Sequence, residues 1–225
     1  PMENSPTKLL VRTALAEDGS VKSAADLKGR RIAVAGGPGS GGEYLTSKAL
    51  ARGNLTIRDV EMMNVANPDM AQAMANGSVD AALVGSPYAD QIIKAGDAKV
   101  LESDLTPGLM TVAFVGSGKF LKERSEAAER FVLALTEAAR MMQGEDYLSA
   151  DNIAAYLTFT NSTEEAIRAA NPVIYDPEMK IPEAGLADME KVHRENGRTE
   201  YTDPLDLSKA VDTSFTEKAR AALGG

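Results

Sequence analysis

The chain has no cysteine, a single histidine and no apolar run near the roughly 20 residues that cross a bilayer as a helix. Each absence removes a class of function. Without cysteine there is no disulfide framework, no thiolate metal site and no cysteine nucleophile, and the lack suits passage through an oxidising space. With His193 alone, a two-histidine metal site is excluded. In LADMEKVHREN its neighbours are charged, which predicts an exposed surface residue rather than a general base. Basic residues are also short, 24 against 33 acidic, and the net charge of −9 repels polyanions over most of the surface, so nucleic acid is not an expected partner. The first residues, PMENSPTK, lack the basic and apolar regions of a signal peptide. Either the protein stays inside the cell or its targeting segment lies outside this sequence.

What is present is a chain of 225 residues, 44% hydrophobic and 25% charged, enough to bury a core in one large or two small domains. LLVRTA at Leu9 to Ala14 reads as a strand, and Ser23 precedes the short helix AADLKG. From Arg31 to Leu101 strands and helices alternate. Strands are expected at Arg31–Ala35, Val60–Val65, Val79–Val84 and Lys99–Leu101. Helices are expected over Glu43–Arg52, from Asn67-Pro68 to Gly77, and from Ser86-Pro87 to Gly96. In the last two a polar cap is followed by proline at the first helical position. This alternation implies βαβ units and a parallel sheet covered on both faces. Thr111 to Val115 reads as a further strand. Lys119 to Gln143 reads as one long helix with Phe120, Ala127, Phe131, Leu135, Ala138 and Met142 on one face, and further helices are expected around Ser149–Tyr156, Thr163–Ala170, Glu183–Asn196 and from Asp206 onward. So much helix with two spare strands is a thin base for a core, and the expectation is that part of a second domain would precede Pro1. The carboxylates Glu123, Glu126 and Glu129 are read as a solvated helix face rather than acid/base groups.

The glycine-rich turn in RIAVAGGPGSGGEY sits between a strand and a helix, the arrangement in which backbone amides hold a negative group. Gly37, Gly39 and Gly42 fit the dinucleotide fingerprint, but the end of the next strand, Met63-Asn64-Val65-Ala66, lacks the acid that would hold a ribose. The phosphate-binding lysine motif fails as well, since Glu43 or Gly42 falls where the lysine should be. A compact anion asks for less. Free amides at Gly41, Gly42 and Glu43, with the Ser40 hydroxyl, can surround it at the positive end of a helix. In a parallel sheet this turn, Asn67 and the Gly85-Ser86-Pro87-Tyr88 turn open onto one crevice. The alternative remains that Ser86 and Asn67 merely cap their own helices and the glycines merely permit a tight turn.

KSAADLKGRRIAVAGGPGSGGEYLTSKAL, followed by VEMMNVANPDMAQAMANGSVDAALVGSPYADQIIKAG, resembles the periplasmic substrate-binding proteins of ABC importers for aliphatic sulfonates, taurine and nitrate, from about Val11 to the C-terminus. The resemblance implies an α/β, type II two-lobed fold that closes on a ligand. Leu9–Ala14 and Thr111–Val115 would be its crossing strands. Residues 1–23 would be part of lobe one, 24–110 the α/β ligand-binding lobe, and 111–225 the helical remainder of lobe one. By position, Ser40, Gly41 and Gly42 would hold the anionic head group, and Gly85, Ser86 and Tyr88 would line the opposite wall. Glu43 departs from this logic, because its carboxylate repels an anion unless it points away or meets the ammonium of a zwitterion such as taurine. Tyr175 would stand near the cleft mouth or pack on the tail helices. The implied role is a monomeric, non-catalytic receptor, periplasmic or exported and membrane-anchored, that captures a small anionic or zwitterionic solute for a membrane permease, with no cofactor and no metal. Enzymes on this fold, a desulfinase and a thiamin-pyrimidine synthase, are expected to need cysteine. A nucleotide-dependent α/β enzyme and a sensory domain of a larger receptor are the alternatives.

Overall fold

The computed structural model describes residues 7–107, 114–160, 162–170 and 172–224. Two compact units emerge: Pro1–Thr111 with Ala184–Leu205, and Val112–Glu183 with Asp206–Gly225. Residues 7–23 therefore fold with the α/β segment, and residues 184–205 return to it. This differs from an organisation into 1–23, 24–110 and 111–225.

In the first unit, β1 (Thr7–Arg12) leads into one helical turn, α1 (Thr13–Glu17). A short 3-10 turn at Ala24–Leu27 is held by the reciprocal Ser23 and Asp26 capping bonds. Then follow β2 (Arg31–Val34), α2 (Gly41–Ala51), β3 (Glu61–Asn64), α3 (Met70–Ala75), β4 (Ala81–Gly85), α4 (Tyr88–Ala95) and β5 (Ala98–Glu102). The five strands form one sheet in the order β3-β2-β4-β1-β5. β2 pairs parallel with β3 and β4, while β1 runs antiparallel to both β4 and β5. The expected parallel sheet is thus a mixed one, because the chain enters by β1 and fills the slot between β4 and β5.

Side-chain alternation builds a core on each face. Leu9, Val11, Ile32, Val34, Ala81 and Leu83 meet Leu27, Ala49, Leu50 and Ile57 on one side. Leu10, Ala33, Ala82 and Val84 meet Met70, Met74, Ala89 and Ile92 on the other. That double burial explains why β4 is apolar throughout rather than alternating.

The second unit consists, among the described residues, of helices: α5 (Gly118–Glu123), α6 (Ser125–Met141), α7 (Ala150–Phe159), α8 (Glu164–Ala169) and, from the chain's end, α10 (Ser214–Ala222); α9 (Glu183–Glu195) lies between them in sequence and belongs almost wholly to the first unit. Ser117, Ser149 and Thr163 cap α5, α7 and α8 through their hydroxyls. The long helix expected over Lys119–Gln143 is two helices, broken at Arg124, whose backbone (φ −131°, ψ 37°) leaves the helical region. The face of α6 that packs carries Ala128, Thr136 and Ala139, whereas Phe131 of the expected stripe is 51% exposed and meets Phe114 edge-on at 5.8 Å. Of the strand expected at Thr111–Val115, residues 111–113 lie outside the described residues, and Phe114 and Val115 are exposed and belong to no strand. Tyr175 is half-buried in this unit, its carbonyl accepting from Gln143 on the segment after α6. Among the described residues no helix is long and apolar enough to cross a membrane.

Asp80 ties the lower ends of β2 and β4. It is buried and accepts from the Arg31 backbone N–H at 3.0 Å and from the Arg31 guanidinium at 3.2 and 2.9 Å. Burial acts to raise its carboxyl, but the Arg31 bonds outweigh it and hold the group below the usual carboxylate range. The stabilisation is therefore present above the unfolded carboxylate pKa and is lost as pH falls through the lower, folded value. Asp80→Asn is expected to reduce the unfolding free energy by about 1–3 kcal/mol at pH 7. In urea titrations the gap between variant and parent closes as the pH is taken below the ordinary carboxylate range; a gap independent of pH there would contradict this assignment.

Candidate functional site

The parallel strands β2, β3 and β4 end side by side, with Val34 opposite both Asn64 and Leu83. The segments leaving them share one edge of the sheet. β1 starts at the same edge, where Thr7 pairs with Gly85.

After β2 the chain turns through Gly36, Gly37 and Gly39, all at positive φ (95°, 68° and 77°), conformations open to glycine and strained for other residues. The Ser40 N–H donates to the Gly37 carbonyl at 3.3 Å, and Ser40 then caps α2, its Oγ accepting from the Glu43 N–H at 3.2 Å. The hydroxyl itself points to the Ala35 carbonyl at 3.4 Å. Ser40 is therefore committed to its own helix start, and of the four groups expected to meet an anion, two amides remain. The Gly41 and Gly42 N–H groups, at the first two helical positions, have no acceptor among the described residues. Gly42 is also where α2 touches β2: a Cβ there would stand 2.6 Å from Val34 Cγ1 and 2.7 Å from the Ala35 carbonyl oxygen. At Gly41 a Cβ would meet nothing within 4 Å.

Glu43 does not face the turn. Ser40-Gly41-Gly42-Glu43 has the spacing of a capping box, in which the glutamate reaches back to the cap. Here the carboxylate is 1% exposed and is gripped by Arg198, with Nε at 2.9 and 3.1 Å and Nη2 at 2.9 Å, while Asn196 Nδ2 lies at 3.3 Å. This corrects the expectation that Glu43 could contact a ligand: its oxygens are occupied. Next along α2, Tyr44 donates to Asp188 at 2.5 Å, and Lys48 reaches the same carboxylate at 3.0 and 3.2 Å. Burial, reinforced by Asp188, pushes the Tyr44 phenol up, so it stays a donor. On Asp188 burial acts upward, but Tyr44 and Lys48 prevail and hold it below the usual range. His193, expected on the surface, is half-buried against the Tyr44 ring at 6.3 Å because α9 docks on α2.

Neither expected proline-following cap forms. At Asn67-Pro68-Asp69 the chain makes a 3-10 turn begun from Ala66, and Asp69 and Met70 spend their N–H groups on the Ala66 and Asn67 carbonyls. No donor is left for the Asn67 side chain, which is exposed at the edge. Ser86 lies one residue too early to cap α4, whose first carbonyl acceptor is Pro87. Its Oγ is buried and has no hydrogen-bond partner among the described residues, a deficit that costs roughly 1–3 kcal/mol if nothing fills it. Gly85 ends β4, and Tyr88 is half-buried against the second core cluster.

Two further residues belong to this edge and were not singled out from the sequence. Asn64 ends β3 with its Nδ2 beside the glycine turn, 3.6 Å from where a Gly37 Cβ would be. The signal was legible, since this is the position searched for a ribose-binding acid, and it holds an amide. Lys8 pairs with Asp90 of α4 at 3.2 Å. Arg198 had no local signal at all.

A sequence model of the NMT1-like family matches residues 3–158. A Brucella abortus protein named as a binding protein is 28% identical over 147 residues, covering 64% of this chain and 45% of its own. The chain thus spans about half the length of the curated relatives it matches. Among solved structures, the periplasmic aliphatic sulphonate binding protein SsuA of Escherichia coli has a TM-score of 0.68 at 19% identity, over 94% of this chain and 67% of that one. The periplasmic nitrate-binding protein NrtA of Synechocystis has a TM-score of 0.66 at 14% identity, over 97% and 65%. The desulfurization enzyme DSZB shares the fold at a TM-score of 0.59 and 17% identity, over 97% of this chain and 77% of that one. These likenesses establish the α/β fold of periplasmic binding proteins.

Gly42→Ala is expected to lower the unfolding free energy by about 1–3 kcal/mol, since the added methyl meets β2 itself. Gly41→Ala should change it by no more than about 0.5 kcal/mol. Urea unfolding of the pair checks the α2–β2 contact.

Proposed function

Because the chain belongs to the NMT1-like family, we propose that it is the solute-binding component of an ABC importer, working in the periplasm as a single chain and delivering a small oxyanion or zwitterion to a membrane permease. One observation carries the reading. The N–H groups of Gly41 and Gly42, at the positive end of an 11-residue helix, share a sheet edge with Asn64 and with the buried Ser86 hydroxyl, and among the described residues neither these amides nor that hydroxyl has a hydrogen-bond partner. Such an edge offers donors to a compact anion through hydrogen bonds and the helix dipole, the latter worth roughly 0.3–1 kcal/mol and up to about 2 when sheltered. The sulfonate- and nitrate-binding proteins that share the fold supply the chemistry to try first: a tetrahedral or trigonal oxyanion with several equivalent acceptor oxygens.

The role needs no bond making. DSZB carries chemistry on this fold, but this chain has no cysteine to act as a nucleophile, and its one histidine, His193, packs on Tyr44. An amide at Asn64, in place of an acid, also disfavours the dinucleotide alternative.

Gly41→Pro gives a sharp test. Proline is well accepted at the first helical position, and Ser40 before it is already extended (φ −82°, ψ 163°). The variant is expected to keep its thermal midpoint while losing one donor, weakening oxyanion binding by about 1.5–3 kcal/mol. Calorimetric titration of the complete protein with ethanesulfonate, taurine, nitrate and NAD checks both halves. At least one oxyanion should bind and NAD should not; equal affinity in variant and parent would remove the Gly41 amide from the site.

A further inference from the structure

Glu43 sits at the third helical position of α2, in the same turn as the Gly41 and Gly42 amides. A bare carboxylate there would cancel much of what the helix end offers an anion, and it would add to a chain already at −9. The structure answers it with Arg198, on the segment that returns from the far end of the first unit. The guanidinium takes both carboxylate oxygens through Nε and Nη2, and Asn196 adds a third donor. A second charged pair, Lys8 with Asp90, is likewise neutral in sum.

We infer that Arg198 is a specificity-determining residue of the anion site: by neutralising Glu43 it lets α2 accept a plain oxyanion, with no ammonium on the ligand needed to balance the carboxylate. This inference rests on the anion reading above and adds to it both a residue and a ligand class. Arg198 does not touch the ligand; it is a positioning residue that acts through Glu43. Its planar fork also explains why arginine rather than lysine holds a carboxylate this deep, since two parallel hydrogen bonds satisfy both oxygens at once. An anchor of purely structural value and a charge screen both predict that breaking the pair destabilises the protein. They differ in what happens to affinity.

The discriminating experiment measures ethanesulfonate binding by calorimetry, and the thermal midpoint by circular dichroism, for the complete parent protein and for E43Q, R198Q, R198K and the E43Q/R198Q double variant. A charge screen predicts that E43Q binds about three- to tenfold tighter than the parent even though its midpoint falls, because Arg198 is then an unmatched cation. R198Q binds weaker by a similar factor, the double variant returns to within about twofold of the parent, and R198K keeps its affinity while losing thermal stability. The spread between E43Q and R198Q narrows as salt is raised. Affinities that simply follow the thermal midpoints, with E43Q and R198Q both weakened, overturn the inference and leave the anion site standing. A parent protein that binds none of ethanesulfonate, taurine and nitrate overturns the anion site and this inference together.

Discussion

The seat of α2 on β2 governs the arrangement of the first unit's candidate edge. The helix can begin where it does only because position 42 lacks a side chain, with Val34 and the Ala35 carbonyl standing where a Cβ would go. That contact fixes where the helix's first N–H groups are presented relative to the ends of β3 and β4. Everything downstream on α2 inherits the placement: Glu43, Tyr44 and Lys48 fall on the side that the returning segment covers, and the glycine turn is left open at the edge.

Much of this was readable from residue order. Strand and helix positions in the first unit follow from apolar runs punctuated by glycine, as at Gly53, Gly77 and Gly96, and each expected element is present within a few residues of its place. Other features escaped because they depend on partners distant in sequence. Nothing near Leu9 announces that its strand will run antiparallel between two others, since alternation reports a face and not a direction. The cap-then-proline pattern at Asn67 and Ser86 was misleading for a local reason: 3-10 carbonyls took the amides in one case, and the helix began a residue later in the other. Phe131 marks a further limit, because periodicity identifies an apolar stripe without saying which stripe is covered.

The site was half legible. The glycine turn between β2 and α2 was readable from residue order, while the Ser40 cap and the inward-facing Glu43 were not. A carboxylate beside the proposed anion site looks like a contradiction in one dimension, and in the fold a guanidinium is bound to it. The cost of burying the carboxylate is met by good geometry, with each oxygen given at least one short donor from a partly exposed guanidinium. The neighbouring Tyr44, Lys48 and Asp188 cluster fastens α9 itself to α2, so the returning segment is clasped at two levels.

Glu43 and Arg198 stand 155 positions apart along the chain. During synthesis from the amino end the glutamate leaves the ribosome long before its arginine exists, and the buried-to-be carboxylate stays hydrated until the chain has been made as far as residue 198. Contacts of such long range make loop closure slow. A nascent chain halted before residue 198 would therefore carry an unsealed α2.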